Sequence, residues 1–128
     1  LGSEIAVAGY SYGGVLSMPT LSLGALSDLR GLNGEETVKR LKIAVQAGDA
    51  GGPVLDAGGA VLGMLLPRQS GGPQLPEDVN FALDTDALLP ALSAAGIRAG
   101  TTARGGNLSA EELSRAAADI TVLVGCWD

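Results

Sequence analysis

The run Gly48-Asp49-Ala50-Gly51-Gly52-Pro53 sets glycines, a carboxylate and a proline where a backbone could gather around a negative charge. Successive glycines let the chain turn so that the N–H groups of Gly48 and Ala50 point at one spot, where a developing anion would be stabilised. The side chain at that spot is the methyl group of Ala50. A methyl group cannot attack a carbonyl, so nucleophilic catalysis from this position is excluded. Read alone, the run also fits an ordinary turn in a chain with 20 glycines. The chain holds no histidine. The usual general base, zinc ligand and pH switch are therefore missing together. Its single cysteine, Cys126, has no partner for an internal disulfide. Apolar and aromatic neighbours in sequence mark it as an inert buried thiol. No two acidic residues stand at the helical spacing of a carboxylate metal site, and no Gly-Lys-Ser/Thr phosphate loop occurs, so no cofactor is expected. The run Gly9-Tyr10-Ser11-Tyr12-Gly13-Gly14 has the outline of a Gly-x-Ser-x-Gly elbow. That elbow requires a strand-to-helix turn and a downstream histidine, and the sequence supplies neither.

The elements that must position the 48–53 loop are mostly strands. Residues 4–10, 19–26 and 40–46 alternate apolar with small or polar side chains, with Leu41, Ile43 and Val45 on one side of the third. Residues 53–56 and 60–66 flank Ala57-Gly58-Gly59, which reads as a hairpin turn. A sixth candidate covers residues 78–83. Loops over 11–17, 29–36 and 68–77 carry Gly, Ser, Pro and Asn. Six short strands punctuated by turns predict an all-β protein, a six-stranded antiparallel barrel whose closure removes exposed edges. Two short helices and a final strand follow. Residues 84–95 place Leu88, Leu89 and Leu92 at helical spacing, with Gly96 as the stop. Ser109-Ala110-Glu111-Glu112 is a capping box that opens a helix to about residue 118. The apolar run 120–127 reads as a buried strand docked on the outer barrel wall or on an inter-domain face. The expected organisation is a barrel unit with its helix over 1–97, a linker over 98–106 and a helix–strand tail over 107–128.

At 128 residues there is room for one domain with its own core. The chain is 46% hydrophobic but only 3% aromatic, which suits a tightly turned β structure with small side chains. A net charge of −6 with scattered Lys and Arg offers no basic stripe, so nucleic acid is not an expected partner. The apolar runs are too short to span a bilayer. Leu1 already opens a strand-like segment, which reads as the start of a fragment or processed piece rather than a secretory leader.

Five segments together resemble the C-terminal barrel of a trypsin-like (chymotrypsin-fold) serine protease, in particular the bacterial HtrA/Deg-type enzymes. They are Leu-Gly-Ser-Glu-Ile-Ala-Val-Ala-Gly-Tyr at 1–10, the strand at 19–26, Ile-Ala-Val-Gln-Ala-Gly-Asp-Ala-Gly-Gly-Pro-Val at 43–54, Gly-Ala-Val-Leu-Gly-Met-Leu at 59–65 and Val-Asn-Phe-Ala-Leu at 79–83. The likeness covers residues 1–97 in the family's order and spacing. The resemblance implies that Ala50 stands at the nucleophile position, where the family has serine. It implies that Gly48 and Ala50 supply the oxyanion-hole amides. Asp49 matches the acidic residue before the nucleophile. Ala44, six residues before Ala50, matches the floor of the primary specificity pocket, with Leu66, Pro67, Arg68 and Val79 as its walls. An alanine floor implies small or medium apolar substrate side chains. In the family the catalytic His and Asp lie on a preceding N-terminal barrel, so the implied partners are that missing half and a polypeptide substrate or ligand. Self-association of the fragment through the uncovered face is a further expectation. Periplasmic or secreted placement follows from the same resemblance. After residue 97 the chain departs from the HtrA/Deg pattern, which usually continues into a PDZ domain. The implied function is a serine-type endopeptidase domain, in its C-terminal half, inactive as it stands. Two histories of Ala50 fit: an introduced Ser→Ala change, or a natural replacement that leaves a pseudoprotease binding peptides or proteins.

Overall fold

The computed structural model describes residues 4–10, 19–28, 30–31, 34–45, 49–67, 76, 78–97 and 109–122. Six antiparallel strands close into a barrel in the order β1-β2-β3-β6-β5-β4. They are β1 (Glu4–Gly9), β2 (Thr20–Asp28), β3 (Val38–Lys42), β4 (Pro53–Asp56), β5 (Val61–Leu65) and β6 (Val79–Asp84). Two helices follow, α1 (Thr85–Ala94) and α2 (Ala110–Ile120). Every strand lies within a few residues of its expected position. Regular pairing in β3 starts two residues earlier than the alternation suggests and stops at Lys42, while Ile43, Ala44 and Val45 run on beyond the ladder.

The barrel interior is small and filled by Ile5, Val7, Leu41, Ile43, Val54, Leu65 and Ala82, with Leu26, Val45 and Leu62 packed around them. Strand β2 turns its small residues inward to leave that room. Ser22 opposes Val7 and Gly24 opposes Ile5. A Cβ on Gly24 would collide with the Lys42 carbonyl and lie 2.6 Å from Cβ of Ile43. Leu21 and Leu23 therefore face outward, and Leu23 is 64% exposed.

The turns follow their sequence signals. In the β4–β5 hairpin the Asp56 carboxylate accepts from the N–H groups of Gly58 at 2.9 Å and Ala60 at 2.8 Å, while Gly59 takes a φ of 86°. Strand β5 accommodates one extra residue opposite β4, between the pairs Val54–Gly63 and Leu55–Val61. Helix α1 is opened by Asp84, whose side chain accepts from the Ala87 N–H. It is closed by Gly96 at φ 80°, with Gly96 N–H donating to Ser93 O at 3.0 Å and Ile97 N–H to Leu92 O at 2.8 Å. Asp84 also receives Lys39 Nζ at 2.9 Å, which ties β3 to the start of α1.

The tail differs in part from expectation. Helix α2 runs two residues past 118 and takes in Ile120, so no strand begins there. Ile120 is 51% and Val122 75% exposed, which corrects the expected burial of this stretch. Thr121 is instead the buried residue, its hydroxyl donating to Ala117 O at 2.6 Å. Side chains three to four residues apart share a helix face, and among the described residues Leu113, Ala117 and Thr121 are the buried ones. Residues 123–128 and the 98–106 linker lie outside the described residues. The docking surface is the outer wall of the barrel: Leu113 and Ala117 pack on Ala6, Ala8 and Leu55, with Leu21 at the margin. Strand β1 is thereby buried on both faces.

The capping box is complete. Ser109 Oγ accepts from Glu112 N–H at 3.1 Å and Ser109 N–H donates to Glu112 Oε1 at 3.1 Å. The Ser109 backbone N–H, then its hydroxyl, hold the Glu112 carboxyl below its ordinary pKa. A depressed folded-state pKa adds stability above the unfolded value and loses it as pH falls through the folded one. Acid should therefore fray the start of α2 before the barrel opens. Amide exchange at Leu113, whose N–H bonds Ser109 O, should accelerate beyond the intrinsic pH trend as the pH falls through and below the ordinary glutamate range. Glu112→Gln should abolish that excess, and an unchanged excess in this variant would refute the assignment.

Candidate functional site

One end of the barrel gathers the chain segments singled out by the sequence. Antiparallel strands alternate direction, so the ends of β1, β3 and β5 meet the starts of β2, β4 and β6 there. The Asp49–Gly52 turn enters β4 at this end. It is fastened to β5 by Gly51 N–H to Leu65 O at 2.7 Å and Leu65 N–H to Gly52 O at 2.9 Å, and closed on itself by Gly52 N–H to Asp49 O at 3.0 Å. Gly51 takes a φ of 86°, a left-handed conformation that glycine adopts without strain.

Within this turn Asp49 and Ala50 have opposite environments. Asp49 is buried at 1% exposure, while Ala50 is exposed. The Asp49 carboxylate lies over the backbone of Gly9: a Cβ there would sit 2.7 Å from Asp49 Oδ1. Only glycine at the end of β1 admits the buried acid. Gly52 makes the complementary approach, since a Cβ on it would collide with the Ala8 carbonyl oxygen. The turn is thus wedged against β1 by backbone contacts on both sides of Ala50.

The other described site residues lie around the same rim. Ala44 is exposed, between buried Ile43 and half-buried Val45. That extension is anchored to β6 by Ile43 N–H to Asp78 O at 2.8 Å and by Asn80 Nδ2 to Ile43 O at 2.7 Å. Val79 opens β6, opposite Lys42. Leu66 continues β5 with its N–H on Phe81 O at 2.9 Å, and Pro67 beside it is exposed. Gly48 and Arg68 lie outside the described residues. Sequence reasoning passed over Gly9, Asn80 and Thr20. Asn80 is a buried side chain that fixes the Ala44 segment, and its amide in an otherwise apolar strand was the available signal. Thr20 opposes Gly9, and its hydroxyl is buried without a hydrogen-bond partner.

The fold has counterparts among solved structures. The inactive form of the Rv3671c protease superposes with a TM-score of 0.54 at 25% identity, over 74% of this chain and 50% of that one. The HtrA-type protease AlgW, in a Ser-to-Ala form with a decapeptide, gives 0.52 at 25% identity over 74% and 30%. The chain has the C-terminal barrel of the trypsin-like serine-protease fold. The active form of Rv3671c from M. tuberculosis matches this protease-type barrel equally, with a TM-score of 0.55 at 22% identity over 79% and 46%. In sequence, the uncharacterized protein y4bJ of Sinorhizobium fredii is 32% identical over 133 residues, which take in 98% of this chain and 21% of that protein. The chain thus spans half or less of these solved proteases and about a fifth of the curated relative. No protein-family model matches it.

Proposed function

We propose that this chain is the C-terminal barrel of a serine-endopeptidase-type domain and that its rim receives a polypeptide. The observation that carries the reading is the Asp49–Gly52 turn at the barrel rim. Its buried acid, exposed Ala50 and strand-locked glycines support reading Ala50 as the nucleophile position of a protease of this fold. In this reading Gly48 and Ala50 contribute the amides that face a substrate carbonyl. Ala44 forms the floor of the side-chain pocket, and Leu66, Pro67, Arg68 and Val79 form its walls. An exposed methyl group at the floor, with no charge beside it in sequence, favours small or medium apolar side chains. Ala50 makes the site a binder that does not acylate. That holds whether alanine is the natural residue or an introduced one. The catalytic base and its orienting acid come from sequence outside this chain, on a companion N-terminal barrel.

The test uses the full-length protein with Ala50→Ser. Labelling by a serine-directed fluorophosphonate, with cleavage after small apolar residues, is the expected result for a proteolytic ancestry. Peptide binding without labelling would identify a pseudoprotease module. Cleavage after Arg or Lys would remove Ala44 from the pocket floor, and absence of both labelling and peptide binding would overturn the reading.

A further inference from the structure

We propose that helix α2 braces the Ala50 turn through strand β1, with Leu113 as the positioning residue. The proposal stands on packing alone and does not depend on the protease reading. Strand β1 lies between two layers. Its outward side chains, Ala6 and Ala8, carry Leu113 and Ala117 of α2, and Leu55 of β4 completes that layer. Its far end bears on the turn. The Ala8 carbonyl fills the space a Cβ on Gly52 would need, and Gly9 lies under the Asp49 carboxylate.

Three features make this a mechanical connection. The contacts between β1 and the turn are glycine against backbone or against a buried side chain, so no rotamer change at Gly9 or Gly52 can absorb a shift of β1. The residues contacted, Asp49 and Gly52, flank Ala50 on both sides. Alanine at positions 6 and 8 puts only short side chains between the strand and Leu113 and Ala117 of the helix. The hold of α2 is also light. Leu113 and Ala117 are the buried apolar residues among those described in the helix, and its far side carries exposed Glu111, Glu112, Arg115 and Asp119. A helix held by so few side chains can leave while the barrel core, which it does not enter, stays packed. Whatever draws α2 away would then alter the order of the Ala50 turn from the opposite side of β1.

The experiment is residue-resolved amide exchange on the full chain with Leu113→Asp. The amides of Gly51, Gly52 and Leu65, which lock the turn, should exchange about tenfold faster or more, while the β3–β6 ladder stays unchanged. Coupling is reciprocal, so Gly52→Ala should accelerate exchange in α2, across the strand. Leu113→Ala reads the same effect at smaller amplitude if the charged variant does not fold. Unchanged exchange at Gly51, Gly52 and Leu65, or equal acceleration throughout the barrel, would overturn the proposal.

Discussion

A chain carrying Ala50→Ser and nothing else turns over neither a reactive ester nor casein. The new hydroxyl would stand at the exposed head of a turn that is hydrogen-bonded to β5. Placement is not sufficient. A serine hydroxyl is a weak nucleophile until a base takes its proton, and the chain holds no histidine to do so. In serine proteases, loss of the base alone costs on the order of a millionfold in kcat, about as much as loss of the whole triad. Any remaining acceleration would come from backbone amides and binding. The check is ester turnover by the purified variant, with and without a fluorophosphonate. Turnover that the reagent abolishes would show that another group in this chain serves as base.

Gly63→Ala should be among the most damaging single-atom additions to this barrel. A Cβ at that position would collide with the Leu83 carbonyl oxygen and come within 3.3 Å of the Asp84 Cα. Both are backbone atoms of the neighbouring strand, so no side-chain rotation relieves the clash and the β5–β6 pairing must part. Asp84 also caps α1 and holds Lys39, so the displacement reaches two further attachments. Overpacking in a tight core costs about 1–3 kcal/mol, and a clash between paired backbones belongs at or above the top of that range. Urea denaturation measures it. Val61→Ala, at an exposed site on the same strand, should change stability by less than about 1 kcal/mol. Equal shifts for the two variants would mean that the strands separate freely at Gly63.

The barrel was legible because its signals are local. Leu41, Ile43 and Val45 do line one side, Ala57-Gly58-Gly59 is a hairpin turn, and Ser109 and Glu112 do cap a helix. The identity of the fold came through the loop around Ala50 and the order of its neighbours, in agreement with the solved proteases. What escaped was decided across strands. In β6 the more hydrophobic residues, Val79, Phe81 and Leu83, are only half-buried, while Asn80, Ala82 and Asp84 point inward. The narrow interior admits small or hydrogen-bonded side chains there, and Asn80 spends its amide on Ile43 O. Hydropathy alone assigns that strand the wrong face. Residues 120–122 were misread for a related reason. The apolar run begun by Ile120 looks like a strand, but the helix carries its winding into it and leaves Ile120 and Val122 largely in solvent. Of the expected site, Ala44, Ala50, Leu66, Pro67 and Val79 share one rim, a proximity that the resemblance implied and that periodicity within single elements could not give.

The closed strand order also sets a timetable for folding. Strand β1 pairs with β4 as well as with β2, and β3 finds its second neighbour only in β6, where Lys39 meets a partner 45 positions later. The ring can close only once β6 is in place, because β3 and β5 both wait for it. Distant pairings of this kind are slow to form, over milliseconds to seconds where helical bundles need micro- to milliseconds. On a ribosome, β1 and β2 would wait through the synthesis of everything up to Asp84 as an open sheet with unmet edges. Helix α2, made after all six strands, finds its alanine-lined seat only after β4 has joined β1, so its arrival reports that this pairing has formed.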